Sequence, residues 1–406
     1  MEFRPRLIGA ISPFAWDARV RCGFRVSPHV VICDCTAREG EQAAEVNFSL
    51  DVKVKLISLL DEAGVPQAQV GYPGKSLVDA TAARRLRERG VRIRLEAIAQ
   101  VFGPTWRDEV DAAVACGPDI LSIQLPCSDA RLRLHGMTRE EMRVRAAAAV
   151  QYARGRVPAL RFAPTDTTRA DLEYVRTLYY TALDAGADRL TVADTAGAMF
   201  PPAMRWMVGA LTQEFPVPFH IHCHNDFGLA LANTLAAVEA GASIVDASVN
   251  GLGERAGQTS LDELVVALEL FYGVATGVRT ELLYHVAHQV AEWSGVPVPT
   301  HKPLVGDQAF AHKLEGHVQG VTTDPALYEP IPPEVVGNRR RIAVGAYTGI
   351  HALRAKLRTL GVEVSETQAG RILESLTQTW QAGVAGAVSD AALLSTAEEV
   401  LKRWRE

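Results

Sequence analysis

The densest run of side chains able to do chemistry is His220-Ile221-His222-Cys223-His224-Asn225-Asp226. On a β-strand, residues two apart share a face, so His222 and His224 point the same way. Two imidazoles on one face are half of a divalent-metal site. His220 has the same parity but lies deeper. The plainer reading is a group of core histidines held by backbone hydrogen bonds. A second polar run, Asp34-Cys35-Thr36-Ala37-Arg38-Glu39-Gly40-Glu41-Gln42, follows an apolar stretch. Charges directly after a buried strand are costly unless paired or bound. Glu39 can complete a two-histidine, one-carboxylate set, and Arg38 can stabilise a developing enolate or alkoxide. A solvated loop is the alternative. A third run, Asn250-Gly251-Leu252-Gly253-Glu254-Arg255-Ala256-Gly257-Gln258, has glycines that permit close backbone approach. Further polar groups end two other apolar stretches. One is Arg161-Phe162-Ala163-Pro164-Thr165-Asp166, where Arg161 and Thr165 share a face. The other is Asp194-Thr195-Ala196-Gly197.

These runs need elements to hold them. Apolar, strand-like segments alternate with helix-period segments from Val30 to about Tyr272. The strand candidates are Val30–Arg38, Gln67–Pro73, Arg92–Gln100, Asp119–Cys127, Ala159–Asp166, Arg189–Gly197, Pro218–Asp226 and Ile244–Arg255. Ser49 reads as an N-cap, and Thr138 with Glu141 as a capping box. Gly64, Gly117, Gly186 and Gly241 read as helix stops. Eight strand–helix alternations predict a parallel sheet closed into a (β/α)8 TIM barrel, an α/β fold. The polar runs then cluster at the C-terminal ends of the strands, where such barrels carry their sites. The expected division is an irregular N-terminal arm over 1–28, the barrel over 29–290, and a mainly helical C-terminal region over 291–406. Helices are expected near Ile350–Gly361, Glu366–Gly383 and Ala391–Trp404.

Composition excludes several partner classes. The chain has 406 residues, 48% hydrophobic and 22% charged, with a formal net charge of −5. No basic stripe is available for a phosphate backbone, so no nucleic acid is expected. No apolar run approaches the roughly 20 residues that cross a bilayer, so no membrane is expected either. The N-terminus has no signal-peptide core, which predicts a cytoplasmic protein. The six cysteines are scattered and read as reduced thiols. Gly74-Lys75-Ser76 mimics the tail of a phosphate loop, but the required earlier glycine is Gln69.

Taken in order, these motifs form a resemblance. Asp34–Gln42 resembles the D-x-T-x-R-[DE]-G-E-Q run of the homocitrate synthase and isopropylmalate synthase family, within the metal-dependent D-R-E barrel superfamily. His222–Gly228 followed by Ala232-Asn233, Asn250–Gly257 and Asp194–Pro201 resemble further blocks of that family. After the barrel, Lys302–Gly306, His312-Lys313, Gly320 and Asp324–Glu329 resemble its lid segments. His312-Lys313 and Thr348-Gly349 look more like the homocitrate branch. The resemblance implies condensation of acetyl-CoA with a 2-oxo acid at a divalent ion (zinc, manganese or magnesium), followed by thioester hydrolysis. It implies Glu39, His222 and His224 as metal ligands, and Arg38 on the reacting oxygens. Arg161 and Thr195 would bind substrate carboxylates, with Gln42 lining the pocket. His317 and Tyr328 match lid residues that reach into the partner's barrel, which implies a homodimer with a swapped lid.

The sequence also departs from the family pattern. Gln69 and Thr165 stand where the family has glutamates, both expected near the substrate. Gln258 stands where the family has asparagine, and the glycine of the His312–His317 loop is shifted. With the metal set retained, the expectation is a working synthase with a changed, more anionic or bulkier acceptor. The alternatives are a lyase or aldolase of the same superfamily, and a catalytically silent homologue.

Overall fold

The computed structural model describes residues 10–381 and 388–403. Gly383, Trp404 and the first nine residues of the expected arm lie outside them. Eight parallel strands close into a barrel in sequence order: β1 Val31–Asp34, β2 Gln67–Gly71, β3 Arg94–Gln100, β4 Ile120–Pro126, β5 Ala159–Thr165, β6 Arg189–Asp194, β7 Phe219–Cys223 and β8 Ile244–Ala247. β8 closes onto β1 with Val31 opposite Ile244 and Cys33 opposite Asp246. The (β/α)8 barrel is therefore as expected. Strands covered by helices outside and filled inside are buried on both faces, which is why they read as near-continuous apolar runs.

The helix signals hold. Ser49 accepts a hydrogen bond from Val52 N at 3.3 Å and starts the helix Leu50–Glu62. Thr138 and Glu141 form the reciprocal capping box of Arg139–Ala153. The four stops take positive φ: Gly64 81°, Gly117 63°, Gly186 111° and Gly241 103°. Ser76, in the phosphate-loop mimic, caps the helix Leu77–Glu88 by accepting from Asp79 N.

The strands are shorter than the expected ranges, and local hydrogen bonds explain it. β1 ends at Asp34 because that carboxylate accepts Thr36 N at 2.8 Å and the Thr36 hydroxyl at 2.9 Å, turning the chain. The Cys35 carbonyl then accepts Arg38 N and Glu39 N, so both catalytic candidates sit in a tight turn. The Thr36 hydroxyl oxygen accepts Val249 N at 2.8 Å and ties this turn to the loop after β8. β8 itself ends at Ala247, well before Arg255.

The barrel interior near the mouth is polar where such barrels are filled with branched apolar side chains. Fully buried Glu96 on β3 and Asp246 on β8 face Arg161 on β5. Arg161 donates from Nη1 to Glu96 Oε1 at 2.9 Å, from Nη2 to Asp246 Oδ2 at 2.8 Å, and from Nε to Thr191 Oγ1 at 2.9 Å. Gln69 bridges onward. Its Nε2 donates to Glu96 Oε1 at 3.3 Å and its Oε1 accepts from Arg38 Nε at 2.8 Å. An amide can link a cation to a carboxylate in this way because it both donates and accepts.

The chain forms two compact units, one over 13–298 and one from 299 onward together with 10–12. The expected boundary at 290 falls inside the helix Leu283–Ser294, while the compact units divide at 298. Part of the expected arm, 10–12, groups with the second unit, where Ala10 N donates to the Pro330 carbonyl at 2.8 Å. In that unit, helices Ile350–Thr359, Glu366–Gln381 and Asp390–Arg403 pack through Val344, Leu353, Leu357, Ile372, Leu376 and Leu393. Glu315 caps the first of them by accepting His351 N and Ala352 N, each at 2.9 Å.

The bridging amide gives a testable consequence. Gln69→Glu puts a second carboxylate against Glu96, and like charges at that range disfavour both being ionised. Gln69→Glu is expected to lower the unfolding free energy by ~1–3 kcal/mol, and Gln69→Glu with Glu96→Gln to recover most of the loss, since contacting pairs are non-additive by this amount. Urea titration of the four proteins checks it; additive losses would remove the bridge from the account.

Candidate active site

The mouth of the barrel encloses a cavity of about 360 Å³ lined from β2 to β8 and by the loops after β1, β4, β6, β7 and β8. His222 and His224, two apart across the end of β7, both reach it. Their Nε2 atoms are 3.3 Å apart. Glu39 brings Oε1 to 3.6 Å from His224 Nε2 and Oε2 to 4.0 Å from His222 Nε2. One ligand atom from each of the three lies within 4.8 Å of the others. The remaining ring nitrogens are also held. His222 Nδ1 is 3.2 Å from Asp246 Oδ2, and His224 Nδ1 is 3.2 Å from the Gly257 carbonyl. Such outer partners fix the tautomer and ring plane of metal-binding histidines. Donor types, convergence and outer support all fit a divalent ion. His220 is fully buried below them; among the described residues neither ring nitrogen has a hydrogen-bond partner, and Nδ1 lies 3.5 Å from Asp246 Oδ1. A second group, Cys33, Cys35 and Asp246, also converges, but Asp246 there is held by Arg161.

The electrostatics follow from burial and pairing. Burial opposes ionisation of Glu39, but the Arg38, His222 and His224 charges outweigh it and hold its pKa below the ordinary value. Burial likewise opposes protonation of His222, yet hydrogen bonds to Asp246 and Cys35 and the Glu39 charge lift it to about 9. Burial and the neighbouring His222 charge push His224 down to about 4. Burial drops His220 to about 3. Arg38 rises despite its burial, because Glu39 stands against it. Nη1 of Arg38 contacts Glu39 Oε2, so the guanidinium is fixed between Glu39 and Gln69.

The remaining expected residues divide. Gln42, Gln69, Arg161, Thr165 and Thr195 all line the cavity. Arg161 is 3% exposed, and its bonds to Thr191, Glu96 and Asp246 leave one Nη2 N–H open. Thr195 Oγ1 accepts Asp166 N at 2.8 Å. Thr165 Oγ1 donates to the Leu125 carbonyl at 3.3 Å. His317 and Tyr328 belong to the second unit. Their rings stack there at 4.1 Å with 24° between planes, and Tyr328 lies so close over Gly320 that a Cβ would collide with it. Sequence reasoning passed over Glu96, Asp246 and Arg131. For the first two a signal existed, a single acid inside an apolar strand: Leu95-Glu96-Ala97 and Val245-Asp246-Ala247.

Comparisons with known proteins show the family. The HMGL-like family pattern matches residues 29–290, and a homocitrate synthase post-HMGL domain-like pattern matches 304–383. Homocitrate synthase AksA of Methanopyrus kandleri is 40% identical over 348 residues, covering 86% of this chain and 87% of that one. The 2-isopropylmalate synthase of Sulfolobus acidocaldarius is 39% identical over 366 residues, covering 89% and 94%. Among solved structures, an HMG-CoA lyase of Bacillus subtilis superposes with a TM-score of 0.60 at 21% identity, over 68% of this chain and 96% of that chain, a likeness of fold. With its barrel and its following domain both matched, the chain belongs to the HMGL-like family, among relatives named homocitrate synthase and 2-isopropylmalate synthase.

Proposed function

We propose that this protein is an acyltransferase that condenses acetyl-CoA with a 2-oxo acid and releases CoA. The observation that carries the reading is the convergence of Glu39, His222 and His224 beside the fixed guanidinium of Arg38. The methyl carbon of acetyl-CoA loses a proton and forms a bond to the ketone carbon of the acceptor. The ketone oxygen takes the electron pair and then a proton. Water cleaves the thioester, giving the CoA thiol and a 2-hydroxy acid with a new carboxymethyl arm. Glu39, His222 and His224 would hold a divalent ion (zinc, manganese or magnesium), which supplies Lewis-acid polarisation of the acceptor's ketone and carboxylate. Arg38 faces the developing oxyanion without having to reorganise. The open N–H of Arg161, with Thr195 and Gln42, orients the acceptor. His317, with Tyr328 beside it, moves the methyl proton from the lid of a partner chain in a swapped homodimer. Gln69 acts here through Arg38, as a positioning residue. No described helix is long and apolar enough to cross a membrane, which accords with a cytoplasmic enzyme. The domains proposed for these roles are the barrel for the reaction and the C-terminal region for the lid.

The decisive experiment is CoA thiol release from acetyl-CoA with a panel of 2-oxo acids. Steady release with at least one acceptor is expected; cleavage of a 2-hydroxy acid without acetyl-CoA-dependent release would favour the lyase reading.

Metal content provides an independent check. Wild type is expected to hold one divalent ion per chain and His222→Ala almost none, with turnover falling by ~10²-fold or more, since even outer-shell changes cost ~10–100-fold. Elemental analysis of both proteins measures it, and equal content would remove His222 from the ligand set.

For the swapped lid, Arg38→Ala and His317→Ala chains should each be inactive, yet recover on refolding together. Random pairing makes half of the dimers mixed, each with one intact site, so about a quarter of wild-type activity per chain is expected. Verified mixed dimers without recovery would place the lid over its own barrel.

A further inference from the structure

Four arginines line the cavity at the barrel mouth, and the fold neutralises three of them. Arg38 is paired with Glu39, Arg161 with Glu96 and Asp246, and Arg255 with Asp226. Arg131, on the short helix Asp129–Leu134 after β4, is different. Its nearest carboxylate is Asp166, with Nε to Oδ2 at 3.9 Å, beyond hydrogen-bond reach. Asp166 is fully buried and already occupied: it accepts Arg169 Nε at 2.8 Å, Arg169 Nη2 at 3.0 Å and the Ser128 hydroxyl at 2.5 Å. Among the described residues no acceptor takes an N–H of the Arg131 guanidinium, and its side chain is 38% exposed.

The space beside Arg131 suits a ligand group. Gln100, Gln124, Arg131 and Thr165 line both the main cavity and a side cleft of about 70 Å³. No carboxylate lines that cleft. Its polar wall also holds the His135 ring and two amides joined to each other, Gln100 Nε2 donating to Gln124 Oε1 at 2.8 Å while Gln100 Oε1 accepts from Lys75 Nζ. Thr165 lines both spaces and is short, with its hydroxyl bonded back to the Leu125 carbonyl. A glutamate at that position would add a carboxylate to the two spaces that Arg131 also lines. A guanidinium with no hydrogen-bond partner among the described residues, its one nearby carboxylate already bonded elsewhere, at the end of a cleft without acids is a receptor for an oxyanion.

We propose that Arg131 reads a second anionic group at the far end of the 2-oxo acid, so that the acceptor is a dianion ending in a carboxylate or phosphonate. The proposal rests on the condensation reading above and adds the class of acceptor. One end of the acceptor is held at Glu39, His222 and His224, and the other meets Arg131. A charge-assisted bidentate contact of this kind discriminates by ~10–100-fold.

The test compares kcat/KM for CoA release with acetyl-CoA and five acceptors: pyruvate and 2-oxobutanoate, with uncharged ends, oxaloacetate and 2-oxoglutarate, with carboxylates, and one phosphonate-ended 2-oxo acid. Wild type is expected to prefer dianions. In Arg131→Met the ratio of dianion to monoanion kcat/KM should fall ~10–100-fold, chiefly through KM. Arg131→Lys should restore part of the ratio, and Thr165→Glu should lower it with Arg131 intact. The carboxylate and phosphonate arms show which end group is preferred. A ratio unchanged by Arg131→Met, or a wild type that prefers uncharged ends, overturns the proposal. If wild type releases no CoA with any acceptor, the condensation reading fails instead. Calorimetric binding of 2-oxoglutarate and pyruvate to the metal-loaded wild type and Arg131→Met then decides the Arg131 assignment: selective loss of 2-oxoglutarate binding supports it, and equal loss or none overturns it.

Discussion

A guanidinium buried inside the barrel is the constraint on which the site rests. Arg161 is nearly inaccessible to water, and an unpaired charge there would cost several kcal/mol. Glu96 and Asp246 on opposite sides satisfy it. Asp246 is then committed, and the same oxygen that receives Arg161 also meets His222 Nδ1. The orientation of the His222 imidazole is thus set by a charge that is not among the three converging ligand atoms. Glu96 passes the constraint the other way, through Gln69 to Arg38 and from Arg38 to Glu39. The contacts run almost completely around the mouth, and the one gap, between Glu39 and the two histidine Nε2 atoms, is where the metal ligands converge.

This arrangement gives physical meaning to the departures from the family pattern. Gln69 is not simply a lost acid. Beside Glu96, a glutamate at 69 would set two carboxylates against each other, whereas the amide satisfies Arg38 and Glu96 together. Thr165 is also accommodated, with its hydroxyl given to a backbone carbonyl. Gln258 differs from both: it is buried with neither amide atom hydrogen-bonded among the described residues, and nothing in the structure explains that.

The fold was legible in the sequence because its signals are local. Caps at Ser49 and Thr138, glycine stops, and eight alternating runs each report on a few neighbouring residues. The convergence of His222, His224 and Glu39 was legible for the same reason: parity on β7 placed His222 with His224, and the polar turn after β1 offered Glu39. What sequence reasoning passed over depends on closure. Glu96 on β3 and Asp246 on β8 are the partners of Arg161 on β5, and only the barrel brings them to it. The strand ends were overextended because the polar residues that follow β1 and β8 bond to each other's loops, as Thr36 does to Val249, and not along the ladder.

The two oxygens of Glu39 divide their work, and that division orders the site. Oε2 faces Arg38, while Oε1 faces His224 and accepts the backbone N–H of Glu254 at 3.4 Å. A Cβ on Gly253 would come within 3.2 Å of Glu39 Cγ, so the glycine lets the loop after β8 close over this carboxylate. The carboxylate therefore serves the buried arginine and the metal position at once, from different atoms. Arg38 does not have to release Glu39 for Oε1 and the two imidazoles to converge, and in the proposed reaction its guanidinium would already stand beside the developing oxyanion. Donors held in place before charge appears are worth more than donors that must turn toward it. The same burial that makes these charges costly thus holds them in the geometry that the chemistry needs.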